Sequence, residues 1–120
     1  MKVAITASGP SLDAAVDPRF GRAAFFFVAN PDSDAYEVHD NAQNLNAAQG
    51  AGIQAAQTVS RLGVEAVITG HCGPKAFEVL NAAGIKVVVG AEGSVRSALE
   101  AFRAGRLTPS HAPNVEGHWA

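Results

Sequence analysis

The chain has 120 residues, 48% of them hydrophobic, and a net charge of −2; that suits one domain with one core, since domains run to roughly 100–200 residues. The near-neutral balance excludes a broad nucleic-acid-binding surface, so any affinity for an anion must come from a local group of donors. The single cysteine, Cys72, rules out an internal disulfide and a one-chain multi-cysteine cluster site.

No stretch approaches the roughly 20 apolar residues of a membrane span, and MKVAITASG at the N-terminus reads as a strand rather than a secretion signal. The expectation is a cytoplasmic protein without membrane association. Lys2–Ala7 predicts the first strand, stopped by Ser8, Gly9 and Pro10. Ser11–Arg22 lacks a period and holds Asp17-Pro18-Arg19-Phe20-Gly21-Arg22, the pattern of an ordered loop. Ala23–Ala29, with successive phenylalanines, predicts a second strand, and Asn30–Asp34 a turn. Ala35–His39 alternates as a third strand, which completes an antiparallel meander.

Asn41–Gly50 is polar, amide-rich and aperiodic, which predicts a mobile loop, a candidate lid. Ala51, Ala55, Val59 and Leu62 recur at helical spacing until Gly63. Ala66–Thr69 is a short buried strand that runs into Gly70-His71-Cys72-Gly73, and Pro74 then opens a helix carrying Phe77, Leu80 and Ala83 on one face. Ile85–Val89 is another buried strand, and Ser94 caps a last helix ended by Gly105. Residues 1–106 read as the domain and 107–120 as its aperiodic tail.

The order β-β-β-α-β-α-β-α predicts an α/β fold of the ribonuclease-H-like type. It has a mixed five-stranded sheet with helices packed on it, the meander at one edge and parallel strands at the other. Nuclease chemistry of that fold needs carboxylates on the central strands, and neither Lys2–Thr6 nor Ala66–Thr69 carries one. Ser8-Gly9-Pro10-Ser11 also lacks the glycine-rich turn of a dinucleotide site.

Ligands of open α/β sheets bind beyond the carboxyl ends of the strands, where the loops Asp17–Arg22 and Gly70–Lys75 are expected to form a cleft. Gly70 and Gly73 allow close backbone approach or merely shape a tight turn. Pro74 is a helix starter, and the helix N-terminus behind it favours an anion. Arg19, Arg22 and Lys75 add positive charge, arginine as a fork of fixed donors. Asp17-Pro18 also reads as a capped turn with Phe20 tucked into the core. Three roles are open to Cys72: a small buried hydrophobe, an activated nucleophile beside His71, or a soft metal ligand. His71 is likewise a ligand, a supporting donor or an exposed loop residue, and His39, His111 and His118 have no metal-ligand spacing with it.

Val16–Ala23 (VDPRFGRA) together with Gly70–Phe77 (GHCGPKAF) resembles the dinitrogenase iron–molybdenum cofactor-binding family. The likeness runs from the first strand to the last helix. MKVAITASGP, Asn44–Ala56, Thr69–Phe77 and Asn114–Trp119 place the chain nearest a branch that holds a mixed molybdenum–copper sulfide cluster without covalent attachment. The resemblance implies a non-catalytic carrier or assembly scaffold, with an iron–molybdenum-cofactor-like cluster as the alternative cargo and delivery proteins as partners. For such a cargo the cleft residues Arg19, Phe20, Gly21, Arg22, Gly70, His71, Cys72, Gly73, Pro74 and Lys75 are the expected cofactor contacts, with Cys72 and His71 as optional soft contacts to metal. Where some nitrogenase-side carriers have a histidine two residues after the aspartate, this chain has Arg19, which shifts the expectation from ligation to charge-assisted holding. The rival readings are a thiol-dependent enzyme using Cys72 and a cluster-free regulatory or interaction domain.

Overall fold

The first apolar run becomes β1 (Val3–Ala7), whose five residues are all buried, and it takes the centre of the sheet. The computed structural model describes residues 1–33, 35–41, 50–110 and 112. On one side of β1 the chain returns antiparallel as β2 (Phe25–Ala29) and again as β3 (Tyr36–Asp40). On the other side β4 (Ala66–Ile68) and β5 (Lys86–Val88) run parallel to it. The order β3-β2-β1-β4-β5 is the expected mixed sheet. Strand ends move by a residue or two from the apolar runs, because pairing rather than side-chain character decides where a ladder stops.

Alternation along the strands gives the sheet two apolar faces. Ala4, Phe26, Val28, Val67 and Val87 pack with α1 (Ala51–Arg61) and α2 (Pro74–Ala82). Val3, Ile5, Phe27, Ile68 and Val88 pack with α3 (Val95–Arg103). The helix ends follow the sequence signals. Ser94 Oγ accepts the Ser97 N–H at 3.0 Å, and Gly63 ends α1 at φ 76°, a left-handed conformation that only glycine adopts cheaply. Among the described residues no helix is long and apolar enough to cross a membrane. The candidate lid lies, from residue 42 to 49, outside the described residues, as do His111 and the Asn114–Trp119 stretch.

Candidate functional site

Both candidate loops leave the same end of the sheet, after β1 and after β4. The loop after β1 has no helical or strand period, yet it is pinned along its length. The Ser8 N–H donates to the Ala15 carbonyl at 3.0 Å, and Val16 pairs with Ala7 in an isolated antiparallel bridge. The Val16 N–H reaches the Gly93 carbonyl at 2.8 Å, and the Val95 and Arg96 amides reach Ala14 and Leu12. The loop is thereby stitched to the start of α3.

Its next residue, Asp17, is clamped by Thr6. The Asp17 N–H donates to the Thr6 carbonyl at 2.9 Å, and the Thr6 hydroxyl donates to the Asp17 carbonyl at 2.8 Å. Thr69, just past β4, lies 2.9 Å away, hydroxyl to hydroxyl. A threonine has one hydroxyl proton; with Thr6 spending its own on Asp17, Thr69 is the donor to Thr6. Both side chains are fully buried, where an unpaired hydroxyl is costly. This pair ties the two loop-bearing strands together, and sequence reasoning passed over it. Its only signal was a threonine after the same kind of apolar triplet in each strand, Val3-Ala4-Ile5 and Ala66-Val67-Ile68.

Asp17 turns its carboxylate inward at 6% exposure. Oδ1 accepts the Arg19 N–H at 3.0 Å, the side-chain turn that Asp-Pro favours, and Arg19 Nε lies 3.9 Å from the same oxygen. Arg19 remains 47% exposed, so this contact leaves most of its charge to solvent or a ligand. Arg19 then pairs with His71 in a parallel bridge, and the Phe20 N–H donates to the His71 carbonyl at 3.1 Å. The two loops that the sequence set apart by some fifty residues are joined at this point. A Cβ on Gly70 would stand 2.8 Å from Pro18 Cα and 3.0 Å from its oxygen, so glycine is what lets the two backbones touch.

The candidate residues divide by exposure. Arg19, Pro74 and Lys75 are exposed, Arg22 and His71 are half-buried, and Phe20, Gly21, Gly70, Cys72 and Gly73 are buried. The Phe20 ring is fully inside, 5.9 Å from the Phe26 ring. Cys72 is equally enclosed in the same cluster, with Sγ 3.7 Å from the Gly73 carbonyl. The structure thus sets the side chains of Phe20 and Cys72 in the core instead of on a ligand-facing surface, since an apolar ring and a thiol gain by leaving water. At the start of α2, Gly73 is an extended N-cap with no side-chain cap and Pro74 occupies the first turn. The amides of Lys75 and Ala76 have no acceptor within the helix, and they aim the positive end of its dipole outward.

Burial pushes the Cys72 thiol from 9.0 up to about 12. The native chain therefore keeps a proton that the unfolded chain releases above pH 9. Stability contributed by this group is complete below that value and falls by roughly 1.4 kcal/mol per pH unit towards pH 12. Cys72→Ala removes the titration, so the stability difference between wild type and variant is expected to shift against wild type between pH 9 and 11. Urea melts at stepped pH read this; a constant difference counts against the buried thiol.

The dinitrogenase iron–molybdenum cofactor family model matches residues 1–105. The chain superposes on the apo form of the orange protein from Desulfovibrio gigas with a TM-score of 0.92 at 45% identity, covering 95% of this chain and 96% of that one. A Thermotoga protein with a provisional NifB assignment follows at TM-score 0.82 and 37% identity, over 97% and 98% of the two chains. An uncharacterised protein of Methanocaldococcus jannaschii is 28% identical over 109 residues, 89% of each chain. Matched by the family model over residues 1–105, the chain belongs to the dinitrogenase iron–molybdenum cofactor family.

Proposed function

We propose that this protein is a non-catalytic carrier or assembly scaffold for an anionic metal–sulfur cluster, held without covalent attachment where the two loops meet. The observation that carries the reading is the Arg19–His71 bridge. It joins the Arg19–Arg22 turn to a segment that continues into an uncapped helix N-terminus bearing Lys75. Cations and open amides suit an oxyanion or a sulfide-rich face.

Among the described residues no three His, Cys, Asp or Glu side chains gather to hold a bare metal ion. A cluster already saturated with sulfide needs donors and charge more than protein ligands, so this donor set fits it. Arg19, Arg22 and Lys75 supply charge, the Gly70–Gly73 backbone supplies close approach, and His71 is a ligand candidate at the junction surface. The protonated, enclosed Cys72 works against a nucleophile there.

The finer assignment is a molybdenum-containing sulfide cluster, mixed with copper as in the family branch that the sequence resembles. A cytoplasmic setting and delivery proteins belong to the same proposal. Reconstitution with tetrathiomolybdate and copper(I), followed by desalting, tests it: retained molybdenum and visible charge-transfer bands are expected. Combined Arg19→Ala and Lys75→Ala should weaken retention roughly tenfold, two modest charge contacts' worth, and added salt should mimic the loss. Wild-type protein that emerges colourless and metal-free sinks the carrier reading; unchanged retention in the double variant sinks the electrostatic part.

A further inference from the structure

Asn41, expected from the sequence to open the mobile Asn41–Gly50 stretch, is instead buried, and its bonds converge on one part of the loop after β1. Its side chain is 1% exposed. Nδ2 donates to the Ala23 carbonyl at 2.8 Å and, more loosely, to the Gly21 carbonyl at 3.4 Å. Its own N–H donates to the Ala24 carbonyl at 2.9 Å. The two carbonyls that the amide grips belong to the residues on either side of Arg22. Asn41 directly follows β3, and the register Ala7–Phe25–Asp40 places it at the end of the sheet from which the candidate loops emerge.

We infer that Asn41 is a positioning residue for Arg22: its carboxamide fixes the Gly21–Ala23 turn and so sets the direction in which the Arg22 guanidinium leaves the sheet. The inference rests on the carrier reading for its purpose, though not for its geometry. An amide NH2 has two protons and here faces two acceptors. An aspartate of the same shape has at most one, and the oxygen that replaces Nδ2 then leaves at least one of the two carbonyls facing a like partial charge. Burial gives the contact its strength, because neither carbonyl has easy recourse to water.

The experiment is a double-mutant cycle of Asn41→Asp and Arg22→Ala, read as the rate at which tetrathiomolybdate–copper-loaded protein loses molybdenum to a chelator. Asn41→Asp alone is expected to speed the loss by about tenfold, the effect of one misplaced charge-assisted contact. In the Arg22→Ala background the same substitution should change the rate by less than about twofold, because the residue it positions is gone. An equal factor in both backgrounds marks a general structural role and overturns the inference, as does no effect in either.

If wild-type protein retains no cluster, the carrier reading fails and positioning is judged on the metal-free chain. There the Arg22 side-chain Nε–Hε NMR signal should be distinct in wild type and collapse towards the free-arginine position in Asn41→Asp. A signal unchanged in the variant overturns the inference. The apolar isostere Asn41→Leu, scored by the same signal, serves if the aspartate variant does not fold.

Discussion

Gly70→Ala is expected to cost roughly 1–3 kcal/mol, the range for overpacking a tight site, and the upper end applies here. The atom met by the new methyl is Pro18 Cα at 2.8 Å, followed by the Pro18 oxygen and carbonyl carbon. These are main-chain atoms, and they cannot rotate aside as the tip of a long side chain does. Pro18 has little room to yield, because Asp17 before it is clamped to Thr6 on both its N–H and its carbonyl. Gly70 is equally fixed, its carbonyl accepting the Gly90 N–H at 2.8 Å.

The strain therefore falls on the Arg19–His71 bridge, which should open, and cluster retention should drop far more than stability. Gly9→Ala, whose methyl meets only the Ala14 Cβ at 3.3 Å, is the control and should cost under about 1 kcal/mol. Urea unfolding with amide shifts of Arg19–Phe20 and His71 reads both outcomes. Wild-type stability and unshifted bridge amides in Gly70→Ala remove the close approach as a constraint.

That contact also shows where a single sequence stops being readable. The apolar runs, the Ser94 cap and the Asp17 turn depend on short-range chemistry, and each appears where the residues place it. The loop junction was legible too, because crossover rules bring the ends of β1 and β4 to one edge. Gly70 was ambiguous between turn and close approach, since the atom that decides it belongs to Pro18, fifty-two positions back. Thr6 and Thr69 looked like ordinary strand residues until the β1–β4 register ends beside them. Asn41 resembled any other amide in a polar stretch, because its acceptors lie on a turn about twenty residues away. Cys72 stayed open among three roles: the helix N-terminus and His71 argue for reactivity, a lone small thiol for burial, and three-dimensional packing encloses it.

The same division separates two roles for Phe20, and Phe20→Ala decides between them. A phenylalanine lining the cluster site would, when truncated, leave stability alone and impair retention. The observed ring is fully buried and tilted against Phe26 in the cluster shared with Cys72, Ala76 and Leu80, so truncation should cost about 3–5 kcal/mol. Against a typical total of roughly 5–15 kcal/mol the variant stays folded in the cold but melts much earlier. Retention should fall as well, for an indirect reason. Phe20 anchors the loop between Arg19 and Arg22, and its N–H also donates to the His71 carbonyl at 3.1 Å, a bond expected to loosen when the ring is lost. Phe20→Leu, which keeps most of the buried volume, should recover much of the stability and with it the retention. The two losses are thus expected to move together across the Ala and Leu variants when denaturation midpoints and retained molybdenum are compared at a temperature where all are folded. A Phe20→Ala protein with its midpoint intact and its cargo lost reverses the assignment, and would put the ring back on the ligand's side of the loop.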